Sequence, residues 1–297
     1  MRSETIQNIL LVILVLANLI LVGFGARDIA IKKKNDENYL TYASNILSEK
    51  KVELSESVKL NSSSFGTVID VEDAEADFTV LAAKFFKCHE NELSVFAIPG
   101  GGMSVAYKNE SFGFSSDGRI SYRIGSEQID ADVTSAHSGT DVKEASSGIK
   151  KSAKAFIKAL GGLGEARIAN SFQGDNGDFY VLCTQVVDGI EVYGTTFVLR
   201  YDVSEKLLAA EGVWYFGNAA EEYKAEIYGK ADALFFLTES VNECRIEMIE
   251  LMYRYMPYGN GGYMLVPTYS VKASKDGHEQ YFSVCAVSGR LQNVASS

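Results

Sequence analysis

The hydrophobic pattern of the chain begins with one long run. From Ile9 to Phe24 it reads ILLVILVLANLILVGF, with Asn18 the sole polar interruption. The stretch Ile6–Ala26 is 21 residues long. As a helix it extends about 30 Å, the thickness of a bilayer core. This predicts one N-terminal transmembrane helix followed by a body that begins near Asn35. Arg27 and Lys32–Lys34 follow the run directly, which favours a retained anchor over a cleaved signal peptide, although Gly23 and Gly25 would suit a cleavage site. Orientation stays open on charge alone. The basic flank favours a cytoplasmic body, whereas the position of the run next to the N-terminus is that of a signal-anchor whose downstream part is exported.

Periods of three and four recur in four later stretches and predict helices. In Asn35–Lys51 the apolar positions are Tyr39, Tyr42, Ala43, Ile46 and Leu47. In Val71–Lys87 they are Phe78, Leu81, Ala82, Phe85 and Phe86. In Val142–Leu160 they are Ile149, Ala153, Phe156, Ile157 and Leu160, with Gly161-Gly162 as the stop. Lys230–Asn242 carries Ala233, Leu234, Leu237 and Val241. Between these helices, short alternating runs predict antiparallel strands. They are Val52–Leu60, four strands over Ser94–Ile124, four over Ala166–Phe216, and Cys244–Tyr255, Tyr263–Ala273 and Gln280–Val287. Gly174-Asp175-Asn176-Gly177 is a strong hairpin signal. Helix followed by strands occurs three times, so the expected class is α+β, built of repeated helix plus antiparallel-sheet units rather than a parallel nucleotide-binding sheet. The polar stretch Asp130–Asp141 is the best linker. Three regions result: 1–34 as anchor and basic flank, 35–129 as a first α+β unit with a stalk helix, and 130–297 as a C-terminal α+β region.

Charge narrows the partners. The chain of 297 residues has a net charge of −11, and Arg2 and Glu4 cancel before Gly25, so the body carries all of it. An acidic body is a poor partner for nucleic acid or an anionic membrane surface. Four scattered cysteines, Cys88, Cys183, Cys244 and Cys285, show no CxxC spacing. They read as buried free thiols, and the even count also permits disulfides in an exported body.

The search for chemistry returns no catalytic, cofactor or metal constellation. His89, His137 and His278 lack partners at ligand or activating spacing, and neither HExxH nor GxSxG occurs. Gly100–Gly102 lacks the following Lys and helix of a phosphate loop. Two binding features stand out. Asn18 at mid-membrane depth is a candidate contact to a partner's transmembrane helix. Tyr253, Tyr255, Tyr258 and Tyr263 gather about one hairpin, either as cross-strand packing or as an aromatic patch for a protein partner.

The chain resembles the YycH/YycI group of membrane-anchored regulatory proteins, and the YycI-type member in particular. The N-terminal likeness is the run ILLVILVLANLILVGF followed by NYLTYASNILSEKKVELSESV. The C-terminal likeness is IELMY, LVPTYSV and YFSVCAVSGRLQNV. In that group a closing Val-Asn-Ala-x-x-Gly strand recurs; here it is Val284-Cys285-Ala286-Val287-Ser288-Gly289, and Thr268-Tyr269 stand where a Trp usually follows Val-Pro. The stretch Val187–Gly194 also resembles PepSY-like modules. The resemblance implies a cytoplasmic N-terminus, an extracytoplasmic body, and non-catalytic regulation of a membrane sensor histidine kinase of cell-wall control, with that kinase and a paralogous regulator as partners. A PepSY-like inhibitor or chaperone-like module acting on a protease or wall enzyme is the alternative.

Overall fold

The computed structural model describes residues 36–61, 63–72, 78–98, 101–115, 118–129, 143–215, 218–238, 243–258 and 262–292. In chain order these form helix α1 (36–49), β1 (Val52–Leu54), β2 (Ser63–Glu72), α2 (Phe78–Phe86), β3 (Ser94–Ala97), β4 (Gly102–Tyr107), β5 (Glu110–Ser115) and β6 (Arg119–Ile124). Then come α3 (Ser147–Leu160), β7 (Glu165–Gln173), β8 (Phe179–Val187), β9 (Ile190–Glu191), β10 (Phe197–Tyr201), β11 (Leu207–Val213) and β12 (Asn218–Tyr228). The chain ends with α4 (Lys230–Leu237), β13 (Cys244–Tyr258), β14 (Gly262–Lys275), β15 (His278–Cys285) and β16 (Leu291–Gln292). Two compact units share these elements. One takes Met1–Phe65, Glu226–Glu250 and Tyr269–Ser297; the other takes Gly66–Ala225 and Leu251–Thr268. The flanks of the stretch 130–141 fall in the same unit.

The larger unit holds a nine-stranded sheet in the order β3-β4-β5-β6-β11-β10-β8-β7, with β9 beside β8. All its pairings among the described residues are antiparallel. One face carries Val105, Phe112, Tyr122, Ala210, Leu199 and Val181 in register, and all are buried. Helix α3 lays Ile149, Ala153, Phe156, Ile157 and Leu160 against that face, and α2 adds Phe78, Leu81, Phe85 and Phe86. The rings interlock: Phe85 meets Phe112 edge-on at 4.6 Å, and Phe78 stacks on Phe114 at 4.3 Å. Helix α3 starts at Ser147, five residues later than the expected Val142, where Ser146 accepts the Ile149 amide at 3.1 Å, and it stops at Gly161 as expected.

A seven-stranded sheet runs β1-β13-β14-β15-β16, with β2 beside β14 and β12 beside β2. Its first pair is parallel, Val52 opposite Cys244 and Leu54 opposite Ile246. Ala43 and Leu47 of α1 are buried, as are Ala231, Ala233, Leu234 and Leu237 of α4. Tyr39 on α1 donates its hydroxyl to Asp232, whose other oxygen accepts the Gly229 amide at 3.0 Å and closes the first turn of α4.

The expected α+β class of repeated helix plus antiparallel-sheet units is corrected. The described residues are predominantly strand: sixteen strands against four α-helices. The units do not repeat. The last strand of the first expected segment, β6, pairs with β11 of the second, Arg123 opposite Ala209 and Ser121 opposite Glu211. The physical reason is that an unpaired β6 edge leaves a row of backbone donors and acceptors unmet, and a ladder between distant segments satisfies them. Two strands, β2 and β12, carry little apolar alternation and were not expected at all, while Val52–Leu60 shortens to Val52–Leu54. None of the described helices is long and apolar enough to cross a membrane. The expected transmembrane helix at Ile6–Ala26, with Asn18, lies outside the described residues.

Candidate functional site

The tyrosines about the β13–β14 hairpin are mostly packed. Tyr253 is buried, and its carbonyl accepts the Tyr193 amide at 2.7 Å. Tyr255 lies half-buried between two rings, Tyr215 at 3.9 Å and Tyr263 at 4.6 Å. Tyr258 sits in β13, and its side chain is outside the description. Behind them Ile69, Val71, Val187, Val192 and Leu265 form a small core. The sequence did not point to Tyr215, which lies 40 positions from Tyr255 and completes the stack.

A second buried device holds this region. The amide of Gln185 donates to the carbonyls of Leu163 at 2.6 Å and Tyr215 at 2.9 Å, and its oxygen accepts the Tyr215 amide at 3.1 Å. The Gln185 backbone amide is met by Thr195 Oγ1 at 3.1 Å. The loop Val187–Gly194 is thus fastened to β8 by Thr195, which also donates to the Val192 carbonyl at 2.6 Å.

The exposed chemistry lies elsewhere, at one edge of the nine-stranded sheet. Strand β3 has a partner on one side only, β4, among the described residues. All four of its residues are exposed; Val95 is 49% and Phe96 58% accessible. The Ile98 amide donates to Gly102 at 3.2 Å, and the register continues as Phe96 opposite Ser104 and Ser94 opposite Ala106. Antiparallel ladders alternate, so Ser94, Phe96 and Ile98 face β4 with their backbone groups, and Val95 and Ala97 turn theirs to the open side.

The opposite edge shows what a protected margin looks like. Strand β7 carries Glu165 and Arg167, and Arg167 bonds Glu191 and the Gly189 carbonyl at 3.0 Å each. Its register slips between Ile168 and Asn170, and the Gln173 amide is capped by the Lys143 carbonyl at 2.9 Å. Charge, a bulge and a cap are the usual guards of an edge. Strand β3 contains no charged residue.

Of the histidines, His89 precedes a 3-10 turn and His278 opens β15; His137 lies outside the described residues. Cys183, Cys244 and Cys285 are buried free thiols, and Cys88 is half-buried and free.

No protein-family model matches the sequence, and no curated protein matches it at a significant level. Among solved structures, an uncharacterized protein from Eubacterium rectale is similar at 13% identity and a TM-score of 0.48, with 82% of this chain and 89% of that one covered. The C-terminal domain of YpeB from Bacillus megaterium is similar at 11% identity and a TM-score of 0.33, covering 76% of this chain and 97% of that domain. Both scores fall below 0.5, and neither carries a functional argument here. The likeness to the YycH/YycI group rests on the sequence stretches given above.

Proposed function

We propose that this chain is a non-catalytic binding module, membrane-anchored at its N-terminus, whose extracytoplasmic body modulates a membrane sensor histidine kinase of cell-wall control through the open edge of β3. The observation that carries the binding role is that edge: a charge-free strand with outward backbone groups at Val95 and Ala97 and an exposed Phe96, on a sheet whose other margin is guarded. An extended segment of a partner adds there as a further strand, with backbone bonds giving affinity and the side chains beside Phe96 giving selectivity. The kinase as partner comes from the YycI-type resemblance.

The edge is built wholly within the larger unit. That favours a second reading, an exported PepSY-like inhibitor or chaperone-like module that acts on a protease or wall enzyme through its body alone. A photo-reactive benzophenone side chain at position 96, used in intact membranes, separates the two. Cross-linking to a sensor histidine kinase, lost when Val95 and Ala97 are replaced by proline, supports the first reading. Cross-linking to a protease or wall enzyme, retained when residues 1–34 are exchanged for an unrelated anchor, supports the second. Capture that is unchanged by the two prolines overturns the edge as the binding element.

A further inference from the structure

A cavity of about 400 Å³ opens beside the C-terminal half of α3. Its walls are Lys154, Ile157 and Lys158 of α3, the loop Gly161–Gly164, Glu165 and Ala166 at the start of β7, and Trp214 after β11. All lie in the larger unit. We propose that this cavity binds a small organic monoanion with a compact apolar body, such as a monocarboxylate.

Three observations carry the assignment. The first is charge. Helix α3 holds Lys150, Lys151, Lys154 and Lys158 and no acid, in a chain of net charge −11. Lys150 is engaged by Glu144 at 2.6 Å. Lys154 and Lys158 make no ion pair among the described residues, and their spacing of four puts both ammonium groups on one helix face, above the cavity. The helix dipole accounts for a cation in the last turn, where Lys158 stands, but not for Lys154 a turn earlier. With Glu165 on the same rim the local sum is +1, which a single negative charge neutralises.

The second is the apolar floor. Ile157 and Trp214 are buried with Ala166 beside them, and they offer hydrocarbon and an indole below the two cations. A ligand with one anionic end and one apolar body matches that division, and the volume falls within the roughly 300–1,000 Å³ of small-molecule sites.

The third is the rigidity of the wall. Trp214 donates its indole N–H to the Gly161 carbonyl at 3.2 Å, so the ring is fixed against the loop. Gly164 holds φ at +80°, and a Cβ there would stand 2.1 Å from the Val186 carbonyl oxygen. The loop is therefore pressed onto β8 by a contact that a side chain would prevent, and the cavity is formed before any ligand arrives. A preformed site loses less affinity to ordering on binding.

Trp214 is the single tryptophan of the chain, so its fluorescence reports on this cavity alone. Full-length protein in lipid nanodiscs is titrated with 4-phenylbutyrate and with octanoate, and in parallel with 4-phenylbutylamine and 4-phenylbutanol. A saturable change in Trp214 emission with the carboxylates is expected. The amine and the alcohol are expected to bind at least about tenfold more weakly, because one charge-assisted contact separates them from the acid. The double variant Lys154→Gln, Lys158→Gln changes only exposed helix positions and should fold as the parent by circular dichroism, yet lose about tenfold in carboxylate affinity. Ala166→Leu, which fills the floor, should weaken all four compounds alike. Absence of saturable binding by both carboxylates, equal binding by the amine, or full affinity in the double lysine variant would each overturn the proposal. None of these outcomes touches the β3 edge.

Discussion

The rings of Tyr215 and Tyr255 lie 3.9 Å apart and within 6° of parallel. Tyr263 closes the other side of Tyr255 at 4.6 Å. The aromatic group about this hairpin is thus a packed stack, and its contribution is to stability. Removing the middle ring deletes two ring contacts and the area they cover. Tyr255→Ala is expected to cost about 2–4 kcal/mol, toward the lower part of the range for aromatic truncation because the residue is only half-buried. Tyr255→Phe keeps both stacks and should stay within about 1 kcal/mol. Urea unfolding of both variants decides; equal stabilities would mean that the stack contributes nothing.

Gln185 links three backbone groups, the carbonyls of Leu163 and Tyr215 and the amide of Tyr215. It is 1% exposed, so the groups it leaves are not reached by water without rearrangement. Gln185→Leu preserves volume yet removes all three bonds, and a loss of roughly 3 kcal/mol is expected. Gln185→Glu keeps the acceptor but replaces the donor to two carbonyls by an oxygen, and should be at least as damaging. Hydrogen exchange at the Tyr215 amide is the direct reporter: it should accelerate strongly in Gln185→Leu, and unchanged protection there would remove the network from the account of stability.

Much of the local structure was legible. The apolar stripe of α3 and its Gly161 stop, the Gly174–Gly177 hairpin and the long strands of the C-terminal third all follow from period, cap and turn chemistry. What could not be read was which strand lies beside which. Nothing in Val52–Leu54 signals a parallel partner at Cys244–Ile246, some 190 positions away, and nothing in β6 names β11. Such pairings are fixed by the common need to fill backbone valences, to which side-chain pattern is nearly blind. Strands β2 and β12 were missed because their sequences, SSFGTVIDVE and NAAEEYKAEIY, mix small and charged residues. The open edge at β3 had a signal that could have been used, four strand residues without a charge, but it acquires meaning only once its place at the sheet margin is known.

The ladder phase derived for β3 makes a sharp distinction between neighbours. Val95 turns its amide outward, so Val95→Pro removes no bond to β4 and is expected to change stability by no more than about 1 kcal/mol. Phe96 turns its amide toward Ser104, so Phe96→Pro breaks the ladder and should cost about 3 kcal/mol or detach the strand. Thermal unfolding of the two variants, with hydrogen exchange at Ser104 to Ala106, tests the phase. A harmless Phe96→Pro beside a damaging Val95→Pro would reverse it, and with it the outward groups available to a partner.

The cysteines differ in reach. Cys183 is 0% exposed and its thiol is pushed up to about 12 by burial, against a smaller opposing pull from Lys154. Cys244 and Cys285 are buried as well, while Cys88 is half-buried just beyond α2. Thiolate is the reacting species, so alkylation of the folded protein at mildly alkaline pH should mark Cys88 first and leave Cys183 unmodified until the protein is denatured. Mass spectrometry of iodoacetamide-treated protein gives the order. Early modification of Cys183 would show that its strand opens far more readily than the core around it suggests.

Alkaline stability is governed by buried phenols. Tyr201 and Tyr253 in the larger unit and Tyr269 in the smaller are each raised from 10.0 to about 12, with burial as the largest cause. Their accessibilities are 0%, 1% and 2%. In the unfolded chain these phenols ionise near 10, and in the folded chain they keep their protons to about 12. Between those values the unfolded state releases protons first and gains on the folded state. The contribution is therefore complete below about pH 10 and is lost as pH rises through 12. Each two-unit shift corresponds to roughly 2–3 kcal/mol, so a few such groups suffice to unfold a domain of ordinary stability. Phenolate absorbance should then rise in two phases. The buried rings ionise last, in one step that coincides with loss of the circular dichroism signal. Tyr201→Phe removes one of the driving ionisations and should move that second step to higher pH. A single phase centred near 10 with the fold intact would mean that these phenols are not held from water as the structure places them.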